Sequence, residues 1–151
     1  MNTNSQPSKF GDETIMSTKN KTIAISDALD ISVDPPRLQA RECTHCHARY
    51  LDKRLACAKC FGRVFDVVHL PAEGTVRSFT IVHRAAKGVT TPFISAVVEL
   101  VDGTSVKANV VGCPAEPEYV RAGLPVQMRT FIAGTDADGT DAIAYAFTPK
   151  A

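Results

Sequence analysis

The second half of the chain alternates apolar and polar residues with the period of two that is typical of β-strands. Between Ile94 and Leu100 every second position is apolar, and Asp102-Gly103 then supplies the turn of a tight hairpin. The same pattern predicts five strands, at 74–83, 93–101, 104–111, 125–133 and 141–148. We therefore expect a mainly β domain over 67–151.

A short helix is predicted between the third and fourth strands. Residues 115–122 carry acidic side chains in what would be the first helical turn, and Gly123 would end the helix. Five strands with one helix in this position follow the order of an OB-fold, which is a small closed β-barrel. A small β-sandwich is the alternative, and the inserted helix counts against it.

Residues 1–37 lack this alternation and are predicted to form a flexible N-terminal arm. They are rich in Asn, Ser, Thr, Lys and Asp, and Asp34-Pro35-Pro36 closes them with a rigid extended segment. One apolar stretch, 23–31, could become a helix or strand on meeting a partner. Met16 is an alternative translation start, which would make the first 15 residues dispensable.

The segment between arm and barrel, 38–66, contains two Cys-x2-Cys pairs separated by ten residues. The four cysteines are Cys43, Cys46, Cys57 and Cys60. Each pair can direct two sulfur atoms at one point, and two opposed pairs complete the tetrahedron that Zn²⁺ accepts, with no open position for a substrate. The spacing predicts a zinc ribbon whose metal is structural. We expect Gly62 to supply the flexible backbone position of the second knuckle, where the first knuckle has His47.

Other uses of these cysteines are less well supported by the sequence. Iron takes the same four thiolates, so the choice of zinc rests on zinc being the common structural occupant. Disulfides are disfavoured because no secretory signal is recognisable and the cysteine count, five, is odd. A redox pair would need only one motif. His45 and His47 are not expected to be ligands, because four thiolates are already available.

The charge balance and the lack of a long apolar run argue against two classes of function, nucleic-acid binding and membrane insertion. Lys and Arg number 17 against 16 Asp and Glu, so a general surface for nucleic acid is not expected. No apolar run approaches the roughly 20 residues that cross a bilayer. No membrane association is therefore expected, and we expect a soluble, cytoplasmic protein. Cys113, His69 and His83 show no arrangement of nucleophile and base, so any catalysis is expected to belong to another chain.

The order of these motifs resembles a known family. The cysteine ribbon is followed by Gly-x-Val-x-Ser-Phe-Thr at 74–80, by Val-Glu-Leu-Val-Asp-Gly at 98–103, and by Tyr-Ala-Phe-Thr-Pro at 145–149. The chain is similar over 38–149 to the acyl-CoA-associated family that joins a rubredoxin-like zinc ribbon to a C-terminal OB-fold, long catalogued as a domain of unknown function. One departure lies between the knuckles, where the family has an aromatic-Pro-Pro-Arg-like run and this chain has 50–54, Tyr-Leu-Asp-Lys-Arg.

The resemblance implies an accessory role. Members resemble non-catalytic subunits beside thiolase-superfamily enzymes, including acetyltransferases, archaeal hydroxymethylglutaryl-CoA synthase, the thiolase of the benzylsuccinate route and aldolases that trim steroid side chains. It implies that this chain stabilises a heteromeric thiolase-type enzyme and helps it to bind acyl-CoA near the interface. A partner of the steroid-aldolase type is the alternative. The acyl group, the reaction of the partner and the stoichiometry do not follow from the sequence.

Binding of CoA would need cations, because CoA carries a 3′-phosphate and a pyrophosphate. The candidates are Lys53, Arg54, Arg63, Arg77, Arg84 and Lys87. Arg84 and Lys87 stand next to Gly88, where a turn would let backbone amides approach a phosphate; a solvated loop is the alternative. A rival function is single-stranded nucleic-acid binding, which OB-folds also serve, but it needs a basic groove with exposed aromatic residues.

Overall fold

The computed structural model describes residues 20–151, and all regular structure in them is β. The strands are β1 Thr22–Ala24, β2 Leu29–Asp30, β3 Arg37–Cys43, β4 Arg49–Tyr50, β5 Phe65–His69, β6 Glu73–Val82, β7 Phe93–Leu100, β8 Ser105–Val110, β9 Pro125–Thr135 and β10 Asp141–Pro149. Within this part of the chain, no helix is long and apolar enough to cross a membrane.

Strands β6 to β10 close into a five-stranded barrel. The order around it is β6, β7, β8, β10 and β9, and β9 pairs back with β6 through Pro125–Gln127. Only β8 and β10 run parallel, with Phe147 opposite Val110, and the other pairs are antiparallel. These strands lie where the alternation placed them, and the closed barrel confirms the predicted OB-fold.

The barrel and the ribbon share one hydrophobic core. Leu38 and Ala40 of β3 and Leu70, just after β5, are buried in the same cluster as the barrel residues Val98 and Phe147. Strand β5 pairs with β3 through Phe65–His69, so the sheet of the ribbon continues past residue 66. Burial of such side chains is the main favourable term in folding. The ribbon is therefore packed onto the barrel as a fixed part of the fold.

The helix predicted at 115–122 is wrong. The segment forms a single turn, in which the Tyr119 amide donates to the Glu116 carbonyl at 3.1 Å. Its end is held to β6 instead, because the Gly123 amide donates to the Val76 carbonyl at 2.7 Å and the Val76 amide donates to the Leu124 carbonyl at 2.9 Å. Eight residues gain too few helical hydrogen bonds to offset the cost of nucleation, so pairing with β6 prevails.

The prediction of a flexible arm does not describe residues 20–37, which are folded. Strand β1 pairs in parallel with β10, with Thr22 opposite Asp141, and β2 pairs with β3. The buried Asp141 accepts hydrogen bonds from the Thr135 hydroxyl at 2.6 Å and the Asn20 amide at 3.3 Å. The apolar stretch thus finds its partner within the chain. Met16 and the rest of 1–19 lie outside the described residues.

Gly74 of β6 has no room for a side chain. A Cβ placed there would lie 2.4 Å from the Glu99 carbonyl oxygen on the paired strand β7. We expect Gly74→Ala to lower the free energy of unfolding by about 2 kcal/mol, because the paired backbone has to move. Gly134→Ala is the control, since a Cβ at Gly134 meets no heavy atom within 4 Å. Thermal melting of both variants checks this, and equal melting temperatures would contradict it.

Candidate metal centre

The four cysteine sulfurs come together at one point. All four Sγ atoms lie within 4.8 Å of one another, with 3.6 Å between Cys43 and Cys60 and 3.4 Å between Cys46 and Cys57. Zn–S bonds of about 2.3 Å in a tetrahedron separate the sulfurs by about 3.8 Å. The four cysteines therefore fit a tetrahedral metal ion, and because all four ligands come from the chain the site is closed.

Each cysteine pair forms a tight knuckle with a residue in the left-handed backbone region. The His47 amide donates to the Cys43 carbonyl and the Phe61 amide to the Cys57 carbonyl, both at 2.9 Å. His47 has φ of 59° and Phe61 has φ of 62°. A left-handed backbone costs a non-glycine residue about 1–2 kcal/mol. The interactions that form the sulfur cluster offset this cost.

The role predicted for Gly62 is wrong, because the position with positive φ in the second knuckle is Phe61. Gly62 is favoured for a different reason. A Cβ at Gly62 would lie 3.3 Å from both the Cys43 and the Cys60 sulfur atoms, so only glycine leaves the cluster its full space. The sequence correctly singled out Gly62, but the reason that it suggested was wrong.

The sulfur of Cys57 is hydrogen-bonded on two sides. It lies 3.3 Å from the Tyr50 hydroxyl and accepts a bond of 3.4 Å from the Lys59 amide. The Tyr50 hydrogen bond is the main reason why the pKa of the Cys57 thiol falls to about 6. At Cys60 the Gly62 amide lowers the pKa, but burial and the neighbouring thiols outweigh it and raise the pKa to about 12. A divalent cation removes that repulsion between thiolates.

Tyr50 organises the segment between the knuckles. Its ring lies edge-on to Phe65, with centroids 6.2 Å apart, and the Arg54 guanidinium stacks 4.4 Å above it. Its hydroxyl also accepts a hydrogen bond of 3.1 Å from the Ala58 amide. Tyr50 therefore links β4 to the second knuckle. The sequence does not show this link, because spacing alone does not reveal where a hydroxyl points.

An ion-pair network joins the first knuckle to the barrel. Arg49 of β4 donates from Nε to Glu42 at 2.6 Å and from Nη1 to Asp102, in the turn between β7 and β8, at 2.5 Å. The His47 ring lies 3.2 Å from the other Glu42 oxygen. The hydrogen bond from Arg49 is the largest cause of the lowered pKa of Glu42. Arg49 thus links the cysteine-bearing ribbon to one end of the barrel.

A comparison with known protein families finds a match to most of the barrel. Residues 67–131 match the family described as the C-terminal OB-fold domain of ChsH2. The matched segment runs from within β5 into β9, so the barrel resembles that domain over most of its strands. No curated protein matches the sequence significantly.

Two solved structures are similar to this chain. One is described as "Ltp2-ChsH2(DUF35) aldolase"; it has 26% sequence identity and a TM-score of 0.62, and the match covers 75% of this chain and 84% of that chain. Another is a protein of unknown function from the DUF35 family of Sulfolobus solfataricus, with 16% identity, a TM-score of 0.44 and coverage of 72% and 76%.

The structure does not gather the six candidate CoA cations at one place. Three are paired with carboxylates: Lys53 with Asp27 at 2.8 Å, Arg54 with Asp52 at 3.1 Å, and Arg77 with Glu99 at 3.2 Å. Arg63, Arg84 and Lys87 are exposed and have no salt bridge within residues 20–151.

The exposed cations lie in different parts of the fold. Arg63 follows the second knuckle, whereas Arg84 and Lys87 lie in the loop between β6 and β7. This loop and the β7–β8 turn that Arg49 contacts are at opposite ends of β7, whose eight residues span about 23 Å at a rise of 3.3 Å per residue. Arg84 and Lys87 therefore lie at the far end of β7 from the turn that contacts the ribbon.

The remaining candidate residues are Cys113, His69 and His83. Burial raises the pKa of the Cys113 thiol, which disfavours the reactive thiolate. The His69 ring lies 2.9 Å from Asp30 and joins β5 to β2. Hydrogen bonds from Ser32 first and His69 second lower the pKa of Asp30 to about 2. His83 is exposed just after β6.

Proposed function

We propose that this chain is a non-catalytic accessory subunit of a thiolase-superfamily enzyme that makes or breaks a carbon–carbon bond in an acyl-CoA. The observation that carries the proposal is the likeness to the Ltp2-ChsH2(DUF35) aldolase structure, which extends over 75% of this chain at 26% identity. The likeness spans more than the barrel alone. It favours a partner of the aldolase type over one that performs thiolysis.

The chemistry of the chain supports an accessory role. Four cysteines occupy all positions of a tetrahedral metal, so a substrate has no place to bind to the ion. We propose that the ion is zinc, that it is structural, and that the protein works in a reducing cytoplasm where the thiolates persist. The catalytic groups would then belong to the partner.

Acyl-CoA would bind where the two subunits meet. Arg63, Arg84 and Lys87 are exposed and have no carboxylate partner within residues 20–151, so their charges are available to the phosphates of CoA. Gly88, with φ of 92°, forms the turn beside Lys87. Arg54, Lys53 and Arg77 are already paired and would contribute less.

The outer face of β7 and β8 does not favour single-stranded nucleic acid as the ligand. The residues of β7 and β8 that alternate with the buried ones are Phe93, Ser95, Val97, Glu99, Ser105, Lys107 and Asn109. Only one of them is aromatic and only one is cationic. Binding of single strands depends on successive aromatic platforms in a basic groove.

Affinity purification of the tagged chain from its own cells tests the proposal. We expect a thiolase-superfamily protein to co-purify in fixed ratio, identified by mass spectrometry and retained through size-exclusion chromatography. Recovery of the chain alone, or with nucleic acid in place of such a protein, would overturn the proposal.

Replacing Cys113 with Ala separates this proposal from a stand-alone enzyme that uses Cys113 as its nucleophile. We expect the kcat of the assembled enzyme to stay within about twofold of the wild-type value, because burial keeps this thiol protonated. The assay is turnover of the acyl-CoA substrate by the complex. Complete loss of turnover in a variant that still assembles would revive the enzyme hypothesis.

A further inference from the structure

Large apolar side chains are exposed on the ribbon, and packing within the described residues does not cover them. They are Leu55, 92% exposed, Phe61, 80%, Val64, 65%, and Val67, 56%, and we call them the ribbon patch. Leu55 and Phe61 flank the second cysteine pair, and the Val64 carbonyl accepts a hydrogen bond of 3.1 Å from Thr44 beside the first pair. Because the four sulfurs lie within 4.8 Å of one another, these residues surround one centre.

The patch faces away from the barrel. On β5, Val68 lies opposite the buried Ala40 and packs against the shared core. Side chains of a strand alternate between its two faces, so the neighbouring Val67 projects from the other face. Strand β5 pairs only with β3 in the described part of the chain, which leaves its outer edge open beside the patch.

Phe61 is the residue that the fold explains least. The knuckle requires positive φ at this position, and asparagine or glycine adopts that conformation with less strain than a bulky aromatic residue. The ring gains little in return within the chain, because it is 80% exposed. The choice of phenylalanine is accounted for if another molecule covers the ring.

Charges around the patch indicate what covers it. Lys59 and Arg63 flank Phe61 in the sequence, and neither has a salt bridge within residues 20–151. Residues 55–67 carry two cations and one carboxylate, Asp66, so a second copy packed patch to patch would oppose a like net charge and be repelled. A surface with an apolar depression and a rim of carboxylates complements the patch instead.

We infer that the ribbon patch is the docking surface for the enzyme subunit, with Phe61 inserted in an apolar pocket rimmed by Asp or Glu. The inference rests on the proposed function and adds the place of contact and the chemistry of the partner's surface. Aromatic residues buried at the centre of an interface supply a large share of its binding energy. The metal then has a second consequence, because it fixes the backbone that presents Phe61.

Phe61→Asn tests the inference, because asparagine accepts the left-handed backbone and removes the ring. Binding of purified variants to the co-purifying thiolase-superfamily subunit is measured by calorimetry, with thermal melting and metal content of each free chain. We expect Phe61→Asn to melt no lower than wild type, to keep its metal, and to bind about 30-fold more weakly or worse. Leu55→Ser is expected to weaken binding in the same direction without touching the knuckle backbone. Ile132→Thr, at an exposed apolar position on the barrel, is the control and should bind as wild type.

The outcomes distinguish the inference from the proposed function. Wild-type affinity in both Phe61→Asn and Leu55→Ser overturns the docking surface and leaves the accessory role intact. Absence of binding by the wild-type chain overturns both. A free wild-type chain that dimerises in sedimentation, and becomes monomeric in Phe61→Asn, shows that a second copy covers the patch and overturns the inference. If Phe61→Asn loses its metal, the binding affinity of Leu55→Ser alone decides whether the ribbon patch is the docking surface.

Discussion

Replacing Cys57 with Ser is expected to release the metal and unfold the ribbon. Cys57 is buried, its sulfur is fixed by Tyr50 and the Lys59 amide, and a serine hydroxyl in its place is a far poorer metal ligand than a thiolate. Folding of a small metal module depends on metal binding. We expect metal content to fall from one atom per chain to near zero, and the melting temperature to fall by about 10 °C or more.

The loss should extend beyond the knuckles. Leu38 and Ala40 belong to the core shared with the barrel, and Arg49 holds the turn between β7 and β8 through Asp102. Hydrogen exchange should therefore show loss of protection across β3 and β5, with the β7–β8 turn also affected. Chelation of the wild-type protein should give the same pattern. Cys113→Ser, at a cysteine outside the cluster, is the control and should keep the metal and the protection. Full metal content in Cys57→Ser would contradict the prediction.

The second large effect is expected in the activity of the assembled enzyme. Without this chain the thiolase-superfamily subunit should turn over its acyl-CoA substrate about 100-fold more slowly, because the substrate is less well positioned. Addition of purified wild-type chain should restore the rate up to a fixed molar ratio. The chain alone should show no turnover, since its metal site is closed and the pKa of Cys113 is raised. A steady-state titration of one subunit with the other measures this.

Two variants test whether recovery of the rate depends on a folded ribbon. The Cys57→Ser chain should fail to restore the rate, because its unfolded ribbon no longer presents the docking surface. The Gly134→Ala chain should restore the rate fully, because a Cβ at Gly134 meets no heavy atom within 4 Å. Substantial turnover by the isolated chain, or full activity of the partner without it, would contradict the accessory role.

The barrel and the cysteine cluster could be predicted because each depends on a local and repetitive signal. Alternation along β7 reflects one buried and one exposed face, and it placed this strand within a residue of its observed bounds, Phe93–Leu100. The cysteine spacing predicted the cluster because two short turns each bring a pair of sulfurs together. Neither inference needed knowledge of distant contacts.

The features that the sequence did not reveal depend on distant contacts or on backbone strain. The segment 115–122 has a helical composition, yet its end pairs with Val76, almost 50 residues earlier. Strand β1 exists because β10 offers it an edge. Arg49 and Asp102 lie 53 positions apart, and no pattern in the sequence joins them. The positive φ of Phe61 is imposed by the knuckle, against the preference of the residue itself.

Native mass spectrometry of the affinity-purified assembly tests the central claim most directly, because it weighs the chain, its metal and its partner together. We predict a complex in which each copy of this chain carries one zinc atom, as dissociation of single chains in the instrument would reveal, and is bound to a thiolase-superfamily subunit. A chain that appears without zinc or iron, and without such a subunit, would contradict the account.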